Sequence, residues 1–129
     1  MKIGFYILGV VLVLVGILGF ISNPIVGDSS GVIFGTNLLH NLVHIISGIL
    51  ALYFAGKASA GMFAKVFGAI YLILGILGFV IADTLTNLLM VNMADNYLHL
   101  LLGIVFLALG FMGAKKAAPM SMPPAQPMS

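Results

Sequence analysis

The chain has 129 residues, of which 62% are apolar and only 6% charged, and its mean hydropathy is +1.25. Soluble domains usually carry about a quarter charged residues, so the composition predicts a membrane protein forming one domain, with no room for a separate globular unit of ordinary size. With no cysteine, disulfides, thiolate metal sites and thiol catalysis are excluded.

Four apolar segments follow one another at 3–21, 38–55, 62–82 and 97–114. Each is near the roughly 20 residues that a helix needs to cross a hydrocarbon core of about 30 Å. Unpaired backbone cannot face lipid, and these runs do not alternate as barrel strands do. The expected fold class is therefore all-α: an integral membrane four-helix bundle over residues 1–116, followed by a disordered cytoplasmic tail at 117–129. The first segment follows Met1 and Lys2 and also reads as a signal peptide, but its run is long and no small-residue cleavage site follows it.

The first long connection, 22–36, contains Asn23, Pro24, Gly27, Asp28, Gly31 and Gly35, the residues of turns and loops. Thr36 at its end is suited to cap the second segment. The second long connection, 83–95, is more apolar and has neither Gly nor Pro. It reads either as a short interfacial helix or as an early start to the fourth segment capped by Thr86 or Asn87. The tail is rich in Pro, Ala, Ser and Met, a low-complexity composition; its Met120-x-Met122 pair is a weak soft-metal motif beside a plain solvated reading.

Charge placement orients the bundle. Lys2, Lys57, Lys65, Lys115 and Lys116 all fall at one end of the four segments, and Asp28, Asp83 and Asp95 at the other. The excess of lysine marks the cytoplasmic side, so both termini are expected there, with the chain in the bacterial inner membrane. The basic pI follows from that topology and from anionic lipid headgroups, and does not point to nucleic acid.

The chain also repeats. Gly16-Ile17-Leu18-Gly19-Phe20 returns as Gly75-Ile76-Leu77-Gly78-Phe79, and Asn37-x-x-His40-Asn41-x-x-His44-x-x-x-Gly48 returns as Asn92-x-x-Asp95-Asn96-x-x-His99-x-x-x-Gly103. Two copies of a helical hairpin, each crossing twice, would be parallel and related by a pseudo-two-fold axis along the membrane normal. The second and fourth segments then face each other, and Asp95 stands where the first copy has His40.

At 100° per residue, Asn37, His40, Asn41 and His44 share an arc of roughly 100° on one helical face. With Asn92, Asp95, Asn96 and His99 they form a candidate polar cluster in the outer leaflet, where polar groups are costly unless they bond across helices or line water. Three readings follow. The asparagines and histidines are interhelical glue; or they hold a small ligand or proton, with Asp95 tuning a histidine; or His40, His44 and His99 bind a divalent metal or haem, His44 and His99 as two axial ligands. Gly16, Gly19, Gly48, Gly75, Gly78 and Gly103 most simply let helix backbones approach closely; alternatively Gly48 and Gly103 leave flat space for a cofactor ring.

The motif Asn37-x-x-His40-Asn41-x-x-His44, followed by small residues in a four-span layout, resembles the bacterial membrane proteins grouped as domain-of-unknown-function family 4383, over roughly residues 3–113. The resemblance implies an uncharacterised membrane protein and transfers no catalytic residue. In size and helical plan the chain is also loosely similar to DoxX-like membrane proteins. No nucleophile–base pair, paired carboxylates or phosphate loop is present, so a non-enzyme is expected. Its partners would be the lipid bilayer and either a second copy or another membrane subunit, with the glycine faces in contact.

Overall fold

The computed structural model describes residues 2–28, 31–116 and 127, with residues 113–116 described as backbone only. The expected tail at 117–129 lies outside the described residues, apart from position 127. The described chain is all-helical apart from its connections. Its elements are α1 (Lys2–Leu18), β1 (Val26–Gly27), β2 (Phe34–Gly35), α2 (Leu38–Phe54), α3 (Ala60–Val80), α4 (Ala82–Leu89) and α5 (Met93–Lys116). α1 lies along α2 and α3 lies along α5, and packing is closest within these two pairs.

Backbone approach explains the glycines within each pair. A Cβ on Gly48 would fall 2.7 Å from the Gly9 carbonyl oxygen of α1, and one on Gly103 2.6 Å from the Leu72 amide nitrogen of α3. Neither contact leaves room for a methyl group. The flat space for a ring expected as the alternative at Gly48 and Gly103 is thus taken by the facing helix.

Several boundaries differ from those expected. α1 stops at Leu18, short of residue 21, because the Asn23 side chain turns the chain back. Its Nδ2 donates to the carbonyls of Leu18 at 2.8 Å and Val26 at 2.9 Å, while its Oδ1 accepts from the Ile25 and Val26 amides. The connection that follows contains a short parallel ladder, with Val26 paired to Phe34 and Gly27 to Gly35, too short to read as period-two alternation. The cap of α2 is Asn37 and not Thr36: Asn37 Oδ1 accepts from the His40 amide at 2.9 Å. Between α3 and α5 both expected alternatives occur together, as the short helix α4 and an early start of α5 at Met93. Asn92, not Thr86 or Asn87, caps that start, accepting from the Asp95 amide at 3.0 Å.

The distribution of polarity is the reverse of that in a soluble domain. Ile3, Ile7, Leu14, Ile46, Ile49 and Ile73 are exposed, whereas His40, Asn41, His44, Asp95, Asn96 and His99 are at most 4% exposed. α3 and the Met93–Met112 stretch of α5 are long and apolar enough to cross a membrane, and α1 and α2 are shorter apolar helices. An aromatic core fills one end. Phe54 stacks on Phe63 at 4.9 Å between centroids, and Phe63 meets Phe106 edge-on at 5.9 Å. Lysines gather at that end: Lys2 lies against Gly56, Lys57 Nζ sits 4.5 Å from the centre of the Tyr53 ring, and Lys65 Nζ 4.9 Å from that of Phe111. The buried polar residues occupy the other end.

Gly48→Ala and Gly103→Ala should each lower stability by about 1–3 kcal/mol, the usual range for overpacking, read as a lower thermal midpoint in detergent; Gly31→Ala, with nothing within 4 Å of its Cβ position, should give a smaller loss attributable to its positive φ.

Candidate functional site

The site is assembled from the first turns of α2 and α5 and from the two connections that cross above them. Asn37, after capping α2, has its Nδ2 left over, and this donates to the Leu88 carbonyl at 2.9 Å. Asn92, after capping α5, donates through Nδ2 to the Ile33 carbonyl at 3.0 Å. Each cap therefore satisfies its own helix start and fastens the connection that belongs to the other pair.

Two further side chains bond to the same pair of connections. His40 Nδ1 lies 3.0 Å from the Leu89 carbonyl, and Asp95 Oδ2 accepts from the Gly35 amide at 2.9 Å and the Asn92 amide at 2.9 Å. For Asp95, which the small-ligand reading has tuning a histidine, Oδ2 is committed to backbone, while Oδ1 is buried with no hydrogen-bond partner. Met90, the residue after Leu89, has a left-handed φ of 54°, and its carbonyl is in contact with the position a Cβ would take on Gly35. The sharp turn at Met90 ends α4 and presents the Leu89 carbonyl to His40.

A carbonyl only accepts, so His40 Nδ1 must carry the proton and Nε2 of the neutral ring keeps a lone pair. That Nε2 lies 3.3 Å from His99 Nε2. His44, one turn after His40, brings its ring centroid within 4.4 Å of His40 and 6.0 Å of His99. One nitrogen from each of His40, His44 and His99 falls within 4.8 Å of the other two. Neither nitrogen of His44 has a hydrogen-bond partner, nor does His99 Nδ1. Unpaired buried polar atoms cost about 1–3 kcal/mol each, so the cluster is under-satisfied as it stands.

The three imidazoles form a compact triangle, with ring centroids 4.4 Å (His40–His44), 5.3 Å (His40–His99) and 6.0 Å (His44–His99) apart, so His40 packs against both rings that the haem reading takes as axial ligands.

The asparagines of the polar cluster separate from the histidines. The Asn41 side-chain amide lies against Gly19, just beyond α1, and that of Asn96 against Gly78 of α3; in both cases a Cβ on the glycine would collide with the amide. The Oδ1 atoms of Asn41 and Asn96 lack conventional donors and lie against the backbone at Gly19 and Gly78. Asn41 and Asn96 thus work inside each helix pair, and Asn37 and Asn92 at the helix starts; only the three imidazoles converge. Motif reading passed over Tyr71, whose ring is 5.7 Å from that of His99, along with Leu89 and Gly35. A backbone carbonyl, a backbone amide and a tyrosine in an apolar run carry no signal in one sequence.

Taken together, these elements define an all-helical protein with two helices able to cross a membrane and a buried three-histidine cluster under a hydrogen-bonded cap. The chain belongs to the family described as Domain of unknown function (DUF4383), whose model matches residues 2–112. Comparison with the curated proteins and with the solved structures finds no match.

Asp95→Ala removes the acceptor for two backbone amides, and bonds to a charged group are worth about 1.5–3 kcal/mol. The variant should lose hydrogen-exchange protection at Gly35 and Asn92 while protection in the middle of α3 is retained; unchanged exchange at Gly35 would show that the cap is held by other contacts.

Proposed function

We propose that this is a four-span protein of the bacterial inner membrane, one domain over residues 1–116, built from two parallel hairpin copies with both termini cytoplasmic. In this reading the three-histidine centre lies in the outer leaflet and binds one small guest. The inverted polarity described above supports the bilayer as solvent, since an isoleucine-rich exterior around buried His, Asn and Asp suits lipid tails and not water. At 17 residues each, α1 and α2 reach the lower limit of a span, about 17 residues. The lysine side chains at the aromatic end favour that end as the cytoplasmic one.

The two-copy reading is supported by correspondences beyond the motifs. The Asn37 amide reaches the Leu88 carbonyl and the Asn92 amide reaches that of Ile33; Asn37 to Asn92 and Ile33 to Leu88 are both steps of 55 (92 less 37, 88 less 33). Asn41 against Gly19 is likewise matched by Asn96 against Gly78.

One observation favours a binding centre over mere packing: His44 is 1% exposed with both ring nitrogens unpartnered. A residue kept only for packing would be apolar there, because the imidazole costs stability until a guest supplies its bond. The asparagines, wedged against glycine, serve as the interhelical glue.

His44→Leu should therefore raise the stability of chelator-treated protein by about 1–3 kcal/mol, read as an increased thermal midpoint. A comparable drop would show that His44 is part of the packing and would remove the binding reading. For topology, a reporter fused after Lys116 should be active only in its cytoplasmic form.

A further inference from the structure

We infer that the guest is a single late first-row transition-metal ion, zinc or divalent copper, held by His40 Nε2, His99 Nε2 and one ring nitrogen of His44, with a fourth coordination position open. The inference rests on the reading of the cluster as a binding centre and names its ligand.

The donor set decides the metal class. Three neutral imidazoles suit zinc, copper, cobalt and nickel, whereas magnesium and calcium require oxygen ligands and iron–sulfur chemistry requires thiolate. Among the described residues, no carboxylate or further histidine belongs to the group of converging ligand atoms. Three protein ligands and an open position are the arrangement of a reactive or exchanging site, not of a closed structural one.

One edge of the cluster already has the length that a single ion requires, while the three nitrogens together lie within 4.8 Å of one another, so His44 must close in to complete the site. Two nitrogens bound to the same tetrahedral metal at about 2.0–2.1 Å stand about 3.3–3.4 Å apart, and His40 Nε2 and His99 Nε2 are 3.3 Å apart. That separation is long for an N–H···N hydrogen bond and natural for an edge of a coordination tetrahedron. His44 supplies the third vertex from one turn along α2.

The surroundings of His40 are those of a ligand. Its Nδ1–H is engaged by the Leu89 carbonyl, which fixes the tautomer, turns Nε2 toward the centre and raises its basicity, as the outer partner of a metal-bound histidine does. Asp95, four residues before His99 and fully buried, adds negative charge on the same face of α5 and so offsets part of the charge an ion would bring into a buried site.

All three histidines of the chain are in this cluster, which makes the test clean. The full-length protein, purified without a histidine tag and stripped with a chelator, is titrated with Co2+ and then challenged with Zn2+. Neither ion favours the thioethers of the methionine-rich tail. One equivalent of Co2+ should bind with the intense visible bands of tetrahedral coordination, and Zn2+ should displace it. His44→Gln and His99→Gln should each weaken Zn2+ binding by at least about a hundredfold, since loss of an outer-shell partner alone costs about 10–100-fold.

Zn2+ should also raise the thermal midpoint of the wild type and not that of His44→Gln, a readout that holds even where the variant is less stable. Stoichiometric binding that persists unchanged in both variants, or an octahedral cobalt spectrum, would overturn the assignment. Absence of binding by a wild type whose His44→Leu variant is stabilised would overturn the metal while leaving a binding centre for another guest. Absence of binding together with a destabilised His44→Leu would overturn both.

Discussion

The peptide groups at 34–35 and 89–90 are the constraint on which the rest of this structure depends. Each lies in a connection crossing the polar end of the helices, and each is anchored to the first turn of a helix in the other pair. His40 reaches the carbonyl of one, and Asp95 the amide of the other. In an apolar medium a free backbone group is expensive, so these connections are fastened wherever a helix start offers a partner. Asn37 and Asn92 complete the arrangement by capping their own helices and donating across.

The same constraint gives a physical reason for the difference between the two motif copies. A carbonyl needs a donor and an amide needs an acceptor. His40 meets the carbonyl through Nδ1–H and Asp95 meets the amide through Oδ2, so one exchange of residue type goes with the opposite use of two corresponding peptides. It also decides which nitrogen of His40 is available. With Nδ1 committed to Leu89, Nε2 turns inward and meets His99. The cluster thus inherits its orientation from the cap, and the left-handed turn at Met90 that positions Leu89 becomes part of the site without touching it.

Beneath the cap, division of labour follows from residue size. Gly48 and Gly103 bring backbones together within each helix pair, and Gly19 and Gly78 receive the asparagine amides. Aromatic rings fill the wider space at the lysine end. Between α2 and α5 the three imidazoles meet, and two of them, His44 and His99, keep unpaired nitrogens. Close packing within the pairs holds those rings in place; their unused lone pairs are what the proposed guest would satisfy.

Much of this was legible from the sequence, because hydrophobic run length and turn residues act locally. The long helices fall within a few residues of the expected segments, and the recurring Asn-x-x-His and Asn-x-x-Asp patterns mark the two helix starts that carry the site. The grouping of His40, His44 and His99 was within reach once helical spacing and the repeat were combined. Other features were decided only in three dimensions. Thr36 and Asn37 are equally plausible caps on paper, and the choice depends on which side chain can also reach Leu88 in the other connection. α1 ends at Leu18 because Asn23 folds back on it, although the apolar run continues. Asp95 Oδ2 is committed to backbone because Gly35, sixty residues away, presents an amide that needs an acceptor, and His40 packs against both His44 and His99. The sequence by itself determined an all-helical chain with an apolar exterior and a polar face on two helices, since these depend on periodicity and composition. Which nitrogens converge, and which partners are already taken, depended on contacts between residues far apart in the chain, and only the tertiary structure decides those.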